Sequence, residues 1–267
     1  MRYALLSVVA TAACYASGAT ATGTDIAPQD PVDRQERWTW RGQIPAGRTL
    51  EIRGINGTIS AEPARDDVAE VVAEKHGDDD DPREVRIEVV EHEGGVTICA
   101  VYPGRNNVCR PGGGQMRVRD NDVEVDFTVR VPRGVVFEGV NVNGAVEATG
   151  LEGPVELHTV NGAIRLETSS GDASAETVNG GISAVVRSVG ERSLRFRTVN
   201  GGITLTLPRG LDADLEARTV NGSIDTEFPI QVLGRMNPRQ LRGRIGRGGR
   251  VLDLHTVNGS IRLRALP

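Results

Sequence analysis

Cys99 and Cys109 lie ten positions apart across a stretch rich in Gly, Asn and Pro, and Cys14 is the only other cysteine. In an exported chain such a pair most simply closes one disulfide; two free thiols or half a metal site are the other readings. A second set is basic. From Phe228 to Leu252 there is no acid, while Arg235, Arg239, Arg242, Arg244, Arg247 and Arg250 supply six guanidinium groups. A guanidinium donates two parallel hydrogen bonds to a phosphate or carboxylate, so this segment is a candidate site for an anionic glycan or a lipid surface. Interspersed Gly and Pro predict a long loop there, and a solvated loop without a ligand is its plainer reading. Nucleic acid fits least, because no aromatic side chains are interleaved with the arginines for base stacking.

Candidates for catalytic chemistry are few. His76 precedes four consecutive acids, Asp78 to Asp81. The run lacks the spaced, Gly-punctuated order of a calcium loop and reads as a solvated turn. His158 and His255 occupy the same position of a repeat and read as exposed surface. Outward acids such as Glu156, Glu216 and Asp253 show no recurring pair of the kind that glycoside hydrolysis needs. There is no nucleophile elbow, zinc-binding helix, phosphate loop or Cys-x-x-Cys motif. The sequence therefore predicts no catalytic residue, no metal site and no cofactor.

The elements that must carry these residues are set by repetition. Val-Asn-Gly or Ile-Asn-Gly recurs at Asn56, Asn143, Asn161, Asn179, Asn200, Asn221 and Asn258, with steps of 18, 18, 21, 21 and 37 from Asn143 onward. A period near 20 residues, with a turn signal at each half-period, is the mark of a solenoid. Between the phrases, runs such as Leu194-Arg195-Phe196-Arg197-Thr198 alternate apolar and charged residues, which is strand periodicity. The fold class expected is all-β: a single-stranded β-solenoid/β-helix of repeated Val-Asn-Gly rungs with an N-terminal hairpin cap. Asn-Gly is expected to supply the positive backbone angles of a sharp reversal. Asn143, Asn161, Asn179, Asn200, Asn221 and Asn258 are expected to stack as a turn ladder with amide bonds from rung to rung. Thr and Val adjoin in Thr-Val-Asn-Gly, and the pattern leaves open which of the two faces the core.

The remaining segments follow. Residues 1–21 read as a signal peptide: a positive head, an apolar stretch from Ala4 to Ala16, and small residues at Ala19-Thr20-Ala21. Plain export to the periplasm or outside is favoured over a lipoprotein anchored through Cys14, because Thr11 stands where a lipobox wants Leu. Residues 22–47 read as a flexible leader, 48–139 as an N-terminal β cap region with the disulfide, and 140–267 as the repeat array. The cap includes a hairpin of Val85–Val90 with Val96–Val101. A net charge of −5 argues against a surface built wholly for nucleic acid.

Four stretches together carry a family resemblance: Leu50-Glu51-Ile52-Arg53-Gly54-Ile55-Asn56-Gly57-Thr58-Ile59, Gly95 to Pro103, Thr128 to Val135, and the Val-Asn-Gly array. Over residues 48 to 265 the chain resembles the bacterial "putative adhesin" domain family. The resemblance implies an exported β-solenoid and brings no catalytic residues. The expected function is thus an adhesin-like binding or scaffold module at the bacterial envelope, with a protein partner along the solenoid face as a further possibility. The alternative is a carbohydrate-active β-helix enzyme, a polysaccharide lyase or hydrolase.

Overall fold

A computed structural model describes residues 35–113, 116–188, 190, 193–233 and 237–267. The expected signal peptide, the first part of the leader and Arg235 lie outside the described residues. The strands all fall within one unit, Asp33–Pro267. In chain order they are β1 (Gln35–Gln43), β2 (Thr49–Arg53), β3 (Ile59–Pro63), β4 (Val68–His76), β5 (Arg86–His92), β6 (Gly95–Val101) and β7 (Glu124–Val131). The array follows as β8 (Val136–Val140), β9 (Val146–Leu151), β10 (Val155–His158), β11 (Ile164–Thr168), β12 (Ala173–Asn179), β13 (Ile182–Val186), β14 (Leu194–Asn200) and β15 (Ile203–Leu207). The last six are β16 (Ala213–Arg218), β17 (Ile224–Thr226), β18 (Ile230–Val232), β19 (Gln240–Ile245), β20 (Val251–His255) and β21 (Ile261–Ala265).

These strands form a β-solenoid of two facing sheets. Sheet A runs β1-β4-β7-β3-β9-β11-β13-β15-β21-β17, and sheet B runs β18-β19-β16-β20-β14-β12-β10-β8-β2-β6-β5. Each rung is one strand of sheet B, an Asn-Gly corner, and one strand of sheet A, and successive rungs pair in parallel. Alternation puts one face of each array strand inside. Leu194, Phe196 and Thr198 are buried while Arg195 and Arg197 face out. Val146, Ile164, Ile182, Ile203 and Ile261 stack as one buried file along sheet A. With few aromatics in the chain, this core is built from many small aliphatics in repeated contact.

Four expectations need correction. The leader does not extend to residue 47: Gln35–Gln43 is β1, antiparallel to β4, because its alternate residues Trp38 and Trp40 have core to cover. The segment after Ile230 is not a loop but the antiparallel hairpin β18–β19, which pairs onto β16. The rungs do not stack in chain order. The last rung, β20–β21, sits between β14–β15 and β16–β17, so Asn258 bridges Asn200 and Asn221. Finally, the repeat gives Ile224 the same place as Val146, Ile164, Ile182, Ile203 and Ile261 and so predicts it inside, yet it is only partly buried, because β17 ends its sheet. The 48–139 region also contains a complete rung, β2–β3, whose Asn56 pairs with Asn143.

The corner glycines are needed for closeness more than for angle. Positive φ occurs at Gly57 and Gly144 but at none of the later Asn-Gly corners, and no corner Asn adopts it. At Gly180 an added Cβ would come within 1.9 Å of the Gly162 carbonyl oxygen, and at Gly201 within 2.0 Å of that of Gly180. Each corner lies so tightly on the one below that only a residue without a side chain fits.

Candidate functional site

The corner decides what the solenoid presents. In Thr-Val-Asn-Gly the Thr points inward: Thr159, Thr177, Thr198, Thr219 and Thr256 are buried. Each hydroxyl donates to a corner glycine carbonyl of the adjacent rung, at 2.8–3.1 Å. Asn141 takes this place in the second rung, its Nδ2 donating to the Gly57 carbonyl at 2.7 Å. A buried hydroxyl needs a partner, and the tight corner supplies one, so Thr can lie inside at little cost. The Val that follows is turned to solvent. Val160, Val178, Val199 and Val220 are each about 40% exposed.

Beside this valine file runs the asparagine ladder. Each Nδ2 donates to the Oδ1 of the next amide, in the order Asn221, Asn258, Asn200, Asn179, Asn161, Asn143 and Asn56, at 2.7–2.9 Å. One edge of the molecule is thus a ruled strip, with methyl groups and amides repeating at the strand spacing of about 4.8 Å. A shallow groove flanks it on sheet B, lined in part by His158, Glu176, Val178, Arg197, Val199 and His255. His158 and His255 stand three strand steps apart in the actual stacking order, about 14 Å, too far to share a metal. Among the described residues no group of three or more His, Cys, Asp or Glu side chains is placed to hold an ion. The acidic run is tied down by backbone bonds: Asp79 and Asp80 N–H groups donate to Asp122, holding its carboxyl below the usual range.

The basic segment looks different once folded. Arg242 meets Glu216 at 2.5 Å, Arg244 meets Asp214 at 3.5 Å and Arg247 meets Asp212 at 2.8 Å. All three acids sit on or next to β16, so the neighbouring strand supplies the charge that the segment itself lacks. Arg239 is exposed in the turn before β19, and Arg250 buries Nε and Nη1 without a hydrogen-bond partner among the described residues. Cys99 and Cys109 are joined by a disulfide, with Cα atoms 5.6 Å apart.

Sequence reading missed one constellation. Glu51, Glu138 and Glu156 are opposite one another on the adjacent strands β2, β8 and β10. Glu51 is buried; its Oε2 accepts from the Thr97 hydroxyl at 2.7 Å and the Gly112 N–H at 3.0 Å, and its Oε1 meets Arg53 at 2.5 Å. Partly buried Glu138 has its carboxyl pushed up, by burial first and then by Glu51 and Glu156. The signal was the middle residue of β2 and β8 and the second of β10, but Glu51 and Glu138 lie 87 positions apart, and only the register joins them.

Two facing parallel sheets closed by stacked Asn-Gly corners define a β-solenoid protein. Residues 140–264, a little under half of the chain, match the family model Toastrack DUF4097. The match covers the array and not the rung and strands before it. The chain is also similar to the crystal structure of a "putative cell adhesion protein" from Clostridium sporogenes, with 12% identity and a TM-score of 0.48, over 87% of this chain and 100% of that one. A "putative adhesin" from Bacteroides fragilis is similar at 10% identity and a TM-score of 0.28, over 86% and 97% of the two chains. No curated protein matches.

Proposed function

We propose that this chain is an exported binding or scaffold module of the bacterial envelope, with the valine–asparagine strip as its contact surface and no chemical step of its own. The observation that carries this reading is the exposure of Val160, Val178, Val199 and Val220 in one file beside an unbroken amide ladder. A lone exposed valine is ordinary. A file of them, with partly buried Val257 between Val199 and Val220, on a corner too tight to flex, suits a linear partner with its own repeat, such as a glycan or an extended peptide. The pairing of Arg242, Arg244 and Arg247 with acids moves the anionic-surface reading to second place within this proposal. Export rests on the N-terminal sequence and on the disulfide, which oxidising compartments favour. The test is the double variant Val178→Asp, Val199→Asp. Both sites are exposed, so the fold should persist, while retention on envelope or host-cell glycans should fall at least tenfold. Undiminished retention would overturn the assignment of the strip.

One observation favours the enzyme alternative: Glu138, with its carboxyl pushed up beside Glu51 and Glu156 on adjacent strands, has the makings of a general acid. Against it, Glu51 is already occupied by Arg53, Thr97 and Gly112. Release of reducing ends from a polysaccharide by the native chain, lost in Glu138→Gln, would establish catalysis and displace the first reading.

A further inference from the structure

We propose that the C-terminal end of the stack is a self-pairing surface, on which a second copy of this chain docks by a twofold lap joint between β17 of one copy and β18 of the other. At this end the two sheets are unequal. The rung β16–β17 is the last in both, yet sheet A stops at β17 while sheet B continues through β19 and β18. The overhang turns an apolar inner face toward the place where sheet A has no strand: Ile230, Val232 and Leu241 are only partly buried, as is Ile224 on β17. Equivalents of Ile224 in the other rungs are at most 2% exposed.

The occupant follows from the shape of the step. A twofold axis parallel to the strands exchanges the sheets, so the two-strand overhang of one copy fills the two-strand deficit of the other. Chain direction agrees. Strands of sheets A and B run oppositely, because the chain reverses at each corner, and β18 runs with β16 because each is antiparallel to β19. The axis preserves direction, so β17 meets β18 of the second copy antiparallel. The free hydrogen-bonding groups also agree. Asn221 and Glu227 N–H groups donate to β21 and its flank (2.8 and 3.0 Å), which turns the N–H and C=O of Ile224 and Thr226 to the open edge. The Leu233 N–H donates to the Arg242 carbonyl at 2.9 Å, which turns those of Ile230 and Val232 outward likewise. Full alignment of the two three-residue strands opposes Ile224 to Val232 and Thr226 to Ile230, each pair exchanging two bonds. The outer face raises no obstacle: exposed Asp225 falls opposite exposed, uncharged Gln231 of the second copy, so like charges do not meet. An open edge with apolar residues behind it is a strong template for such pairing.

The test uses the full chain with its native disulfide. In the double variant Asp225→Cys, Gln231→Cys the two new thiols lie on the outer faces of opposite sheets, about 10 Å apart in backbone alone, so they cannot join within one copy. Mild oxidation should give a covalent dimer whose peptide map contains the 225–231 link, and light scattering should give the unsubstituted chain the mass of a dimer at tens of micromolar. A monomeric mass with no covalent dimer would overturn the joint. So would 225–225 or 231–231 links formed as readily as 225–231, since the lap geometry keeps like positions apart.

Discussion

The two ends of the stack solve the same problem differently. At the N-terminal end both sheets run past the first rung, sheet A by β7, β4 and β1 and sheet B by β6 and β5. The extra strands bring the chain's two tryptophans, Trp38 and Trp40, against the core. They are pinned by the Cys99–Cys109 bond, by the buried Tyr102 hydroxyl donating to the Val123 carbonyl at 2.6 Å, and by buried Lys75 donating to the Val85 carbonyl at 2.8 Å. At the C-terminal end only sheet B is extended, and the extension is held by the pairing of β19 with β16 and by exposed ion pairs. Exposed pairs contribute little, typically below about 1 kcal/mol each. The difference teaches that capping a solenoid takes strands on both sheets; extending one sheet leaves apolar edge uncovered on the other.

The largest expected contrast lies between the middle of the stack and its open end. Ile203 is fully buried between Ile182 and Ile261. Ile203→Asp loses its burial, about 1.5–3 kcal/mol, and adds the desolvation of a carboxylate, so the sum reaches the whole stability of many domains and the variant should not fold. Ile224→Asp makes the same change at β17 and should cost below about 1.5 kcal/mol, because the site is already partly wet. Urea midpoints of the two variants, taken at submicromolar concentration so that the chain stays monomeric, measure this directly. Equal losses would mean that the C-terminal end is as closed as the middle.

Next in size is the disulfide. Closing a loop of ten positions removes about 2.5–3 kcal/mol of chain entropy from the unfolded state. Cys99→Ser with Cys109→Ser should therefore lower the melting temperature clearly, and hydrogen exchange should rise first in β5, β6 and β7. Loosening that begins instead at β18 and β19 would break the idea that the N-terminal cap depends on this bond.

How much of this was legible in the sequence divides along the same line. The Asn-Gly period is local, so the rungs, the strand alternation, the ladder and the β5–β6 hairpin could all be read from it. The stacking order could not. The 21-residue step from Asn200 to Asn221 repeats the step before it, and nothing in the phrase says that Asn258 will enter between them. The basic segment misled for a related reason: its counter-charges Asp212, Asp214 and Glu216 are more than 20 positions earlier, and only β16–β19 pairing brings them near. The choice of Thr over Val for the interior is likewise decided by a neighbouring rung, whose glycine carbonyl accepts the hydroxyl proton.

A smaller effect separates the interior of the ladder from its end. Asn179 both donates to Asn161 and accepts from Asn200, whereas Asn221 makes one such bond, to Asn258. At about 0.5–1.5 kcal/mol per bond, Asn179→Ala should cost about 1–3 kcal/mol and Asn221→Ala about half as much. Thermal melts of both variants sharpen the comparison. A larger loss at Asn221 would show that the end depends on its amide more than the interior does.

The smallest effect is a pH dependence of opposite sign at the two ends. Glu138, in the acid row near the N-terminal end, has its carboxyl pushed up by burial and by Glu51 and Glu156. Its folded pKa exceeds its unfolded one, so its favourable contribution is complete below the unfolded value, near 4.3, and is lost as pH rises through the folded value. Glu138→Gln keeps the neutral form at every pH. The variant should melt with the native chain at pH 3 and above it at pH 7. Asp212, beside the C-terminal hairpin, is held below the usual carboxylate range, by the Arg247 backbone N–H first and its guanidinium second. Its contribution is present above the ordinary Asp value and is lost as pH falls through the lower, folded one. Asp212→Asn should therefore melt below the native chain at pH 7 and rejoin it under strong acid. Melting curves of the three proteins from pH 2 to pH 8 distinguish the cases. Differences that keep one sign, or stay flat with pH, would mean that the acid row and the arginine-paired edge do not differ electrostatically in the way their neighbours dictate.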